Sequence, residues 1–246
     1  MVFETSLPTV SICTLTRDRP TFLSLLRTCI EAQTYPRELI EWVVIDNGAA
    51  SIEPLVQSHA GVRYTRLPPG PETHTIGALR NLSHRVATGD ILVYMDDDDY
   101  YPPQRVAHAV QALRSNPGRL IAGSSALPTY FSDRDEVWIL GPYGPNHATA
   151  GTFAFRRSLL ENTAYLESAT RSEERAFLKE YSIPMAQLES RQTILCMSHG
   201  MNTFDKRVLL ADPKRAFIRK AKWTIAQIIK DPQLREAYRE ACRSTR

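Results

Sequence analysis

Short runs of strand-forming residues alternate with segments of helical periodicity over about the first 115 residues, and this alternation constrains the fold most strongly. The predicted strands cover residues 9–15, 42–45, 62–66 and 91–95. The predicted helices begin near Pro20, Ile52, Ile76 and Pro102. Most of the strands are continuously apolar, which is typical of strands covered on both faces. We therefore predict an α/β fold with an open, mostly parallel sheet flanked by helices.

Beyond about residue 119 the alternation becomes less regular. Further strands are predicted over residues 120–131, 137–140, 152–155 and 193–197. Helices are predicted over residues 172–181, with Ser172 as the cap, over residues 214–230, and from Asp231 onward. The chain is thus predicted to end in a helical tail.

The chain has 246 residues, enough for one large domain with an appendage. We place the main domain at residues 1–203, with halves at 1–123 and 124–203, and a C-terminal extension at 204–246. Residues 203–246 are basic, with 12 Lys and Arg against 5 Asp and Glu. This charge leaves open a peripheral membrane contact, a solvated helix face, or packing on the main domain. Stacking aromatics are few, so no nucleic-acid partner is expected.

Four cysteines lie far apart in the sequence, and no two have the Cys-x-x-Cys spacing of zinc or redox sites. We expect four reduced thiols, three of them buried. No stretch reaches the roughly 18 apolar residues of a membrane span, and residues 1–8 lack the features of a secretory signal. These features predict a cytoplasmic protein, and an oligomer stays open.

Four consecutive carboxylates, at residues 96–99, directly follow the apolar run at 91–95. The carboxyl ends of parallel strands are where open α/β sheets bind ligands. Adjacent oxygen ligands there suit Mg²⁺ or Mn²⁺, held by one or two carboxylates while substrate phosphates complete the shell. The alternative is a solvated acidic turn at the start of the next helix.

Four segments together resemble the motifs of family 2 glycosyltransferases, which have the Rossmann-like GT-A fold. They are residues 43–48 (VVIDNG), 77–81 (GALRN), 87–91 (ATGDI) and 95–102 (MDDDDYYP). The resemblance implies inverting transfer of a sugar from a nucleotide sugar, with a UDP-sugar expected, to a hydroxyl of a glycan or other acceptor. It also implies Mn²⁺ or Mg²⁺ as cofactor, nucleotide binding by residues 1–123 and acceptor binding by 124–203.

The resemblance further implies a set of nucleotide contacts. These fall on Thr14, Thr16, Arg17, Asp46, Arg80, Asp96 and Asp97. In particular, Asp46 is implied to accept a hydrogen bond from the base. The alternative for Asp46 is a turn residue that bonds its own backbone, and the alternative for Arg17 and Arg80 is a surface ion pair.

Metal binding is implied at Asp98, with Asp96 and His199 as further ligands. The position of the proline after the acidic run favours Asp96 and Asp98 as the paired acids. However, the register Asp97 and Asp99 also fits the motif, because all four residues are aspartates.

An inverting transferase also needs a general base that takes the proton of the acceptor hydroxyl. Glu173 and Glu174 lie about 75 residues past the acidic run, where relatives carry Glu-Asp with the second acid as the base. The resemblance therefore implies Glu174 as the base, with Glu173 as its alternative. Helix-terminal acids that complement the helix dipole are the structural alternative.

Two rival functions stay open. A sugar nucleotidylyltransferase has the same sheet topology but needs a Gly-rich phosphate loop after the first strand, and residues 14–18 (TLTRD) contain no glycine. A GT-A domain without activity, used for sugar-nucleotide binding or scaffolding, is the other alternative.

Overall fold

The computed structural model describes residues 6–68, 74–211 and 217–245. The first half contains β1 Val10–Thr16, α1 Pro20–Glu31, β2 Ile40–Asp46, α2 Glu53–Val56, β3 Val62–Arg66, α3 Ile76–Val86, β4 Ile91–Tyr94 and α4 Arg105–Ser115. The second half contains β5 Ile121–Gly123, β6 Leu127–Phe131, β7 Glu136–Leu140, β8 Ala154–Arg156, α5 Glu174–Phe177, β9 Met185–Gln187, β10 Cys196–Ser198, α6 Arg207–Leu210, β11 Ile218–Lys220 and α7 Pro232–Ser244.

The strands form two sheets. The larger has seven strands in the order β3-β2-β1-β4-β8-β5-β9, and only β8 runs antiparallel to its neighbours. The smaller has four strands in the order β10-β6-β7-β11. The predicted open, mostly parallel sheet flanked by helices is therefore confirmed. The carboxyl ends of β1, β2 and β4 lie at one edge of the larger sheet.

Alternate residues of the central strands enter two separate cores, one on each face of the larger sheet. In β4, Ile91 and Val93 pack into one core, while Leu92 and Tyr94 pack into the other. The same alternation occurs along β1 and β2. A strand that is buried on both faces favours apolar residues along its whole length, which explains the continuous hydrophobicity of β4.

The predicted strand at 120–131 is in fact two strands that belong to different sheets. Between β5 and β6, the N–H of Ser124 donates to Thr152 Oγ1 at 3.0 Å, and the N–H of Ser125 donates to Gln187 Oε1 at 2.9 Å. These side chains replace ladder partners, so the chain can leave one sheet and enter the other. The strands predicted at 152–155 and 193–197 are present as β8 and β10, shifted by one to three residues.

The helix predicted over 172–181 is wrong in length and in its cap. Only Glu174–Phe177 is helical, and its cap residue is Glu173, whose side chain makes no capping hydrogen bond. Ser172 itself has a φ of 51°, and the three residues 179–181 have φ between 49° and 59°. This left-handed turn ends the helix after one turn.

The helix predicted over 214–230 is also wrong for the residues that the structure describes, and residues 212–216 lie outside them. Ile218–Lys220 instead forms β11, which pairs antiparallel with β7. A 3₁₀ turn follows at Ile225–Gln227, started by a capping box between Thr224 and Gln227. The final helix, α7, is confirmed and is capped by Asp231.

Three isoleucines of the extension are buried, whereas Phe204 and Val208 are exposed. Ile225, Ile228 and Ile229 belong to the same core as the central strands. The structure therefore favours packing on the main domain over a free apolar face at this segment. No helix in the described ranges is long and apolar enough to cross a bilayer. All four cysteines are buried and free, one more buried thiol than predicted.

We predict that Gly89, which lies between α3 and β4, tolerates no side chain. A Cβ at Gly89 would lie 2.6 Å from the backbone nitrogen of Ser11 and 2.7 Å from the carbonyl carbon of Val10. Gly89→Ala should therefore destabilise the protein by about 1–3 kcal/mol, as overpacking against rigid backbone does. Urea denaturation followed by tryptophan fluorescence measures the change.

Gly118→Ala is the matched control, because a Cβ there would meet no atom within 4 Å. Its stability should stay within about 0.5 kcal/mol of the unsubstituted protein. Equal stability of the two variants would contradict the close approach of β1 to Gly89.

Candidate active site

The candidate site lies at the edge where β1, β2 and β4 end. The acid cluster, defined as residues 96–99, begins two residues after β4, and Thr16 is the last residue of β1. His199 directly follows β10, and Glu174 is the first residue of α5. Residues far apart in the sequence therefore meet at one edge of the sheet, as the fold predicts.

Arg19 is the cation that contacts two members of the acid cluster, and sequence reasoning missed it. Its Nη1 donates to Asp97 Oδ1 at 2.8 Å and to Asp98 Oδ2 at 2.7 Å. Thr16 Oγ1 donates to the other oxygen of Asp97 at 2.8 Å. The signal in the sequence was an arginine directly before Pro20, at the turn between β1 and α1.

Arg17, the arginine that the resemblance implied, does not reach the acid cluster. Its side chain is 56% exposed and lies 3.9 Å from Asp18. This is the geometry of the surface ion pair that was its alternative.

Asp98 is held by a second group of polar side chains that follows β10. His199 Nε2 lies 3.1 Å from Asp98 Oδ2, and Asn202 Nδ2 lies 3.2 Å from the same oxygen. The N–H of Met201 donates to His199 Nδ1 at 3.2 Å, and Asn202 Nδ2 lies 3.0 Å from Nε2, so both ring nitrogens are contacted. The ring stacks on Phe22 with a centroid distance of 4.4 Å, which fixes its orientation.

The members of the acid cluster differ in how readily they ionise. Burial opposes ionisation of Asp98, but the hydrogen bond from His199 and the charge of Arg19 outweigh it and hold the pKa of Asp98 below its usual range. Burial, together with the charge of Asp98, raises the pKa of Asp97 to about 7. The same two causes raise the pKa of Asp99. Of these three carboxyl groups, Asp98 is therefore the one that stays most firmly ionised.

Asp99 turns away from the opening of the site. Its Oδ1 accepts the N–H of Met197 in β10 at 2.8 Å, and its carbonyl oxygen accepts the hydroxyl of Tyr238 at 3.1 Å. Asp98, and not Asp99, therefore lies against His199.

Arg80 connects the acid cluster to Glu173, the residue before the predicted base. Its Nη2 donates to Asp96 Oδ1 at 2.9 Å, and its Nε lies 3.8 Å from Glu173 Oε1. The guanidinium lies over the ring of Tyr94, 4.4 Å from the centroid. Only 2% of Arg80 is exposed, so it is neither the surface ion pair nor an open nucleotide contact. Its Nη1 is buried without a hydrogen-bond partner among the described residues.

The two glutamates at α5 have different environments. Glu173 is buried next to Arg80, whereas Glu174 is half-buried. Burial, and then the charge of Glu173, raises the pKa of Glu174 to about 7. A carboxyl group with such a pKa can accept and release a proton near neutral pH.

Two of the predicted nucleotide contacts are enclosed by the protein. Asp46 is fully buried, and its carboxylate accepts the N–H of Gly48 at 2.8 Å and the hydroxyl of Tyr64 at 2.6 Å. These are the contacts of the turn residue that was its alternative. Thr14 Oγ1 donates to the Met95 carbonyl at 2.9 Å and is equally buried.

The structure therefore brings together most of the predicted site. The residues that it joins, with Arg19 added, are Thr16, Arg19, Arg80, Asp96, Asp97, Asp98, Glu173, Glu174 and His199. Thr14 and Asp46 lie beneath this edge, and Arg17 lies on the surface.

The predicted metal ligands fit a divalent cation in part. Asp98 Oδ2 and His199 Nε2 are the oxygen and nitrogen donors that Mn²⁺ accepts, and they lie 3.1 Å apart. Across residues 6–68, 74–211 and 217–245, no three His, Cys, Asp or Glu side chains form a group that could hold a metal. Two side chains still suit a cation that keeps several waters and takes the rest of its shell from substrate phosphates.

Comparison with known proteins identifies the family. The model of the family described as "Glycosyl transferase family 2" matches residues 9–163, well over half of the chain, so the chain belongs to this family. Among curated proteins, a glucosyl-dolichyl phosphate glucuronosyltransferase of Haloferax volcanii is 24% identical over 139 residues. That match covers 54% of this chain and 44% of the relative, so this chain aligns with less than half of the relative's length.

Solved structures confirm the GT-A fold. TarS 1-349 of S. aureus superposes with a TM-score of 0.61 at 15% identity, over 77% of this chain and 60% of that one. The mannosyltransferase PcManGT of Pyrobaculum calidifontis, in complex with GDP-Man and Mn²⁺, superposes with a TM-score of 0.60 at 18% identity. This superposition covers 87% of this chain and 59% of PcManGT.

We predict that Arg19 is needed to keep Asp97 and Asp98 together. Arg19→Met removes the cation that lies between two buried carboxylates and leaves their mutual repulsion uncompensated at that point, so the protein should lose about 3 kcal/mol of stability. Urea denaturation at pH 7 measures the loss.

Arg17→Met is the matched control, since it removes an exposed arginine two residues away. Its stability should change by less than about 0.5 kcal/mol. If the two variants were equally stable, Arg19 would not be the cation on which the acid cluster depends.

Proposed function

We propose that this protein is an active glycosyltransferase that moves a sugar from a nucleotide-sugar donor to a hydroxyl of a glycan or other acceptor, with inversion at the sugar carbon. One observation supports it above all: Arg80 joins Asp96 of the acid cluster to Glu173, beside a half-buried Glu174 of raised pKa. Donor-binding carboxylates and a general base then lie at the same sheet edge.

Nucleotide sugars are the donors that the structural neighbours support. TarS 1-349 has been solved with UDP-GlcNAc and with UDP, and PcManGT with GDP-Man. We expect a UDP-sugar for this chain. The acceptor, a cytoplasmic location and a peripheral membrane contact stay predictions.

Asp98 and His199 would hold a divalent cation, with Asp96 close to the donor, and Mn²⁺ or Mg²⁺ is the expected ion. When bound, such a cation neutralises charge on the leaving nucleoside diphosphate. To bind the cation through Nε2, His199 would have to carry its ring proton on Nδ1, because only an unprotonated ring nitrogen offers a lone pair to a metal. Arg19 already supplies positive charge to the same carboxylates.

Glu174 acts as the general base in this proposal. The acceptor oxygen attacks the sugar carbon from the side opposite the diphosphate, and the bond between that carbon and the diphosphate breaks. The proton of the acceptor hydroxyl passes to the Glu174 carboxylate. Glu173 contributes its charge, which helps to raise the pKa of Glu174. Arg80 holds Glu173 in place, since Arg80 Nε lies 3.8 Å from Glu173 Oε1. The proton acceptor and the donor-binding acids are thereby fixed relative to each other.

Donor binding tests the proposal directly. Asp98→Ala should abolish the Mn²⁺-dependent part of UDP binding, because it removes the carboxylate next to His199. Calorimetry with UDP and GDP, each with and without Mn²⁺, measures the affinity. Asp133→Ala, at an exposed aspartate outside the site, is the control and should bind like the unsubstituted protein. Unchanged Mn²⁺-dependent affinity in Asp98→Ala would remove Asp98 from the site.

Transfer should depend on Glu174 far more than on Glu173. Glu174→Gln keeps the size of the side chain but removes the proton acceptor, so transfer should fall by roughly 10²–10⁴-fold while donor binding is kept. Glu173→Gln is the matched control and should lower the transfer rate much less. Release of nucleoside diphosphate in the presence of a panel of hydroxyl acceptors measures the rates. A dead Glu173→Gln beside a fully active Glu174→Gln would exchange the two roles.

The rate of transfer should rise with pH and level off above about pH 7. Only the ionised Glu174 accepts a proton, and burial and Glu173 raise its pKa to about 7. Glu173→Gln removes the neighbouring charge, so the midpoint should move to lower pH. A midpoint that stays fixed in this variant would show that another group controls the profile.

A further inference from the structure

The C-terminal helix α7 lies against the back of the acid cluster, although it is outside the region matched by the family model, residues 9–163. Its buried face consists of Tyr238, Ala241 and Cys242, each at most 2% exposed. This face packs against α1, the helix that follows the Arg19 turn. A helix with no sequence motif thus lies directly behind the candidate site.

Tyr238 makes the closest contact between α7 and the acid cluster. Its hydroxyl donates to the carbonyl oxygen of Asp99 at 3.1 Å, and Cys29 Sγ lies 3.4 Å from the same hydroxyl. Because a hydroxyl has one proton, the thiol of Cys29 is the donor in the second contact. The Tyr238 ring also meets the ring of Tyr100 edge to face, at 5.8 Å and 90°.

The backbone at this point is held from two sides. Tyr100 exchanges two backbone hydrogen bonds with Leu195, at 3.1 and 2.8 Å, on the side of β10. On the other side, Tyr238 binds the carbonyl of Asp99. Adjacent carboxylates repel one another, so the backbone that holds them tends to move apart unless it is anchored. These hydrogen bonds hold the backbone at Asp99 and Tyr100, the two residues that follow Asp98.

We propose that Tyr238 is a positioning residue for donor binding: its hydrogen bond to Asp99 fixes the backbone that aims the Asp98 carboxylate at His199. The inference rests on the proposed function, since it assigns a purpose to a bond at the same acid cluster. It gives the C-terminal extension a role in the site beyond covering the core.

Tyr238→Phe tests the inference, because it removes one hydroxyl and keeps the ring. The dissociation constant for UDP or GDP in the presence of Mn²⁺ should rise roughly three- to tenfold, the worth of one hydrogen bond. Tyr35→Phe is the matched control: Tyr35 is also buried, and its hydroxyl donates to the carbonyl of Pro8, far from Asp99 in the sequence. Its affinity should equal that of the unsubstituted protein.

Cys29→Ala provides a second variant. It removes the thiol that donates to Tyr238 but keeps the bond to Asp99, so its affinity should also stay unchanged. Equal affinity of Tyr238→Phe and the unsubstituted protein would overturn the inference. Equal weakening in Tyr35→Phe would overturn it as well, because the effect would then be a general loss of stability.

Hydrogen exchange separates this inference from the proposed function. Amides of residues 97–101 should exchange faster in Tyr238→Phe than in Tyr35→Phe, and this comparison needs no ligand. If the unsubstituted protein bound neither UDP nor GDP with Mn²⁺, the proposed donor function would fail. The positioning of the backbone by Tyr238 would then still be decided by exchange, and equal exchange in both variants would refute it.

Discussion

Four adjacent carboxylates at the edge of a buried sheet are the constraint on which the rest of the site depends. Each loses water when the strand before it is buried, and each repels its neighbours. Among the described residues, cations from three distant parts of the chain compensate this repulsion. Arg19 comes from the turn after β1, Arg80 from α3, and the charge of Lys206 acts from the segment after β10. The chain must therefore fold for these cations to reach the carboxylates, and the buried carboxylates need the cations for the fold to be stable.

The carboxyl groups receive different numbers of compensating contacts, and their pKa values differ as a result. Asp98 receives hydrogen bonds from Arg19, His199 and Asn202 and stays ionised, whereas burial and repulsion raise the pKa of Asp97. Glu174 has the same kind of environment as Asp97, because burial and a neighbouring carboxylate, Glu173, raise its pKa. One edge of the sheet thus holds a firmly charged carboxylate and, beyond Arg80, a carboxyl group able to exchange its proton.

Much of this arrangement could be predicted from the sequence, because the relevant signals are local. The central strands follow from continuous hydrophobicity, and the acid cluster follows from its position after one of them. The errors concern partners that are distant in the sequence. The periodicity of residues 214–230 contains no sign that β7 offers an edge to pair with. Asp46 looked available, yet Tyr64 of a neighbouring strand encloses it. Arg19, not Arg17, faces the cluster, since the chain turns between them.

The site is assembled from two parts of the chain that differ in how closely they follow the family. The match to the family ends at residue 163, so the acid cluster lies within it, while Glu174, His199 and Tyr238 all lie beyond it. Arg80 belongs to the matched region and contacts Glu173 outside it, and Asp98 contacts His199 in the same way. These later segments thus supply partners to charges that the matched region buries. That electrostatic requirement, more than any sequence motif, places Glu173 and His199 next to the acid cluster.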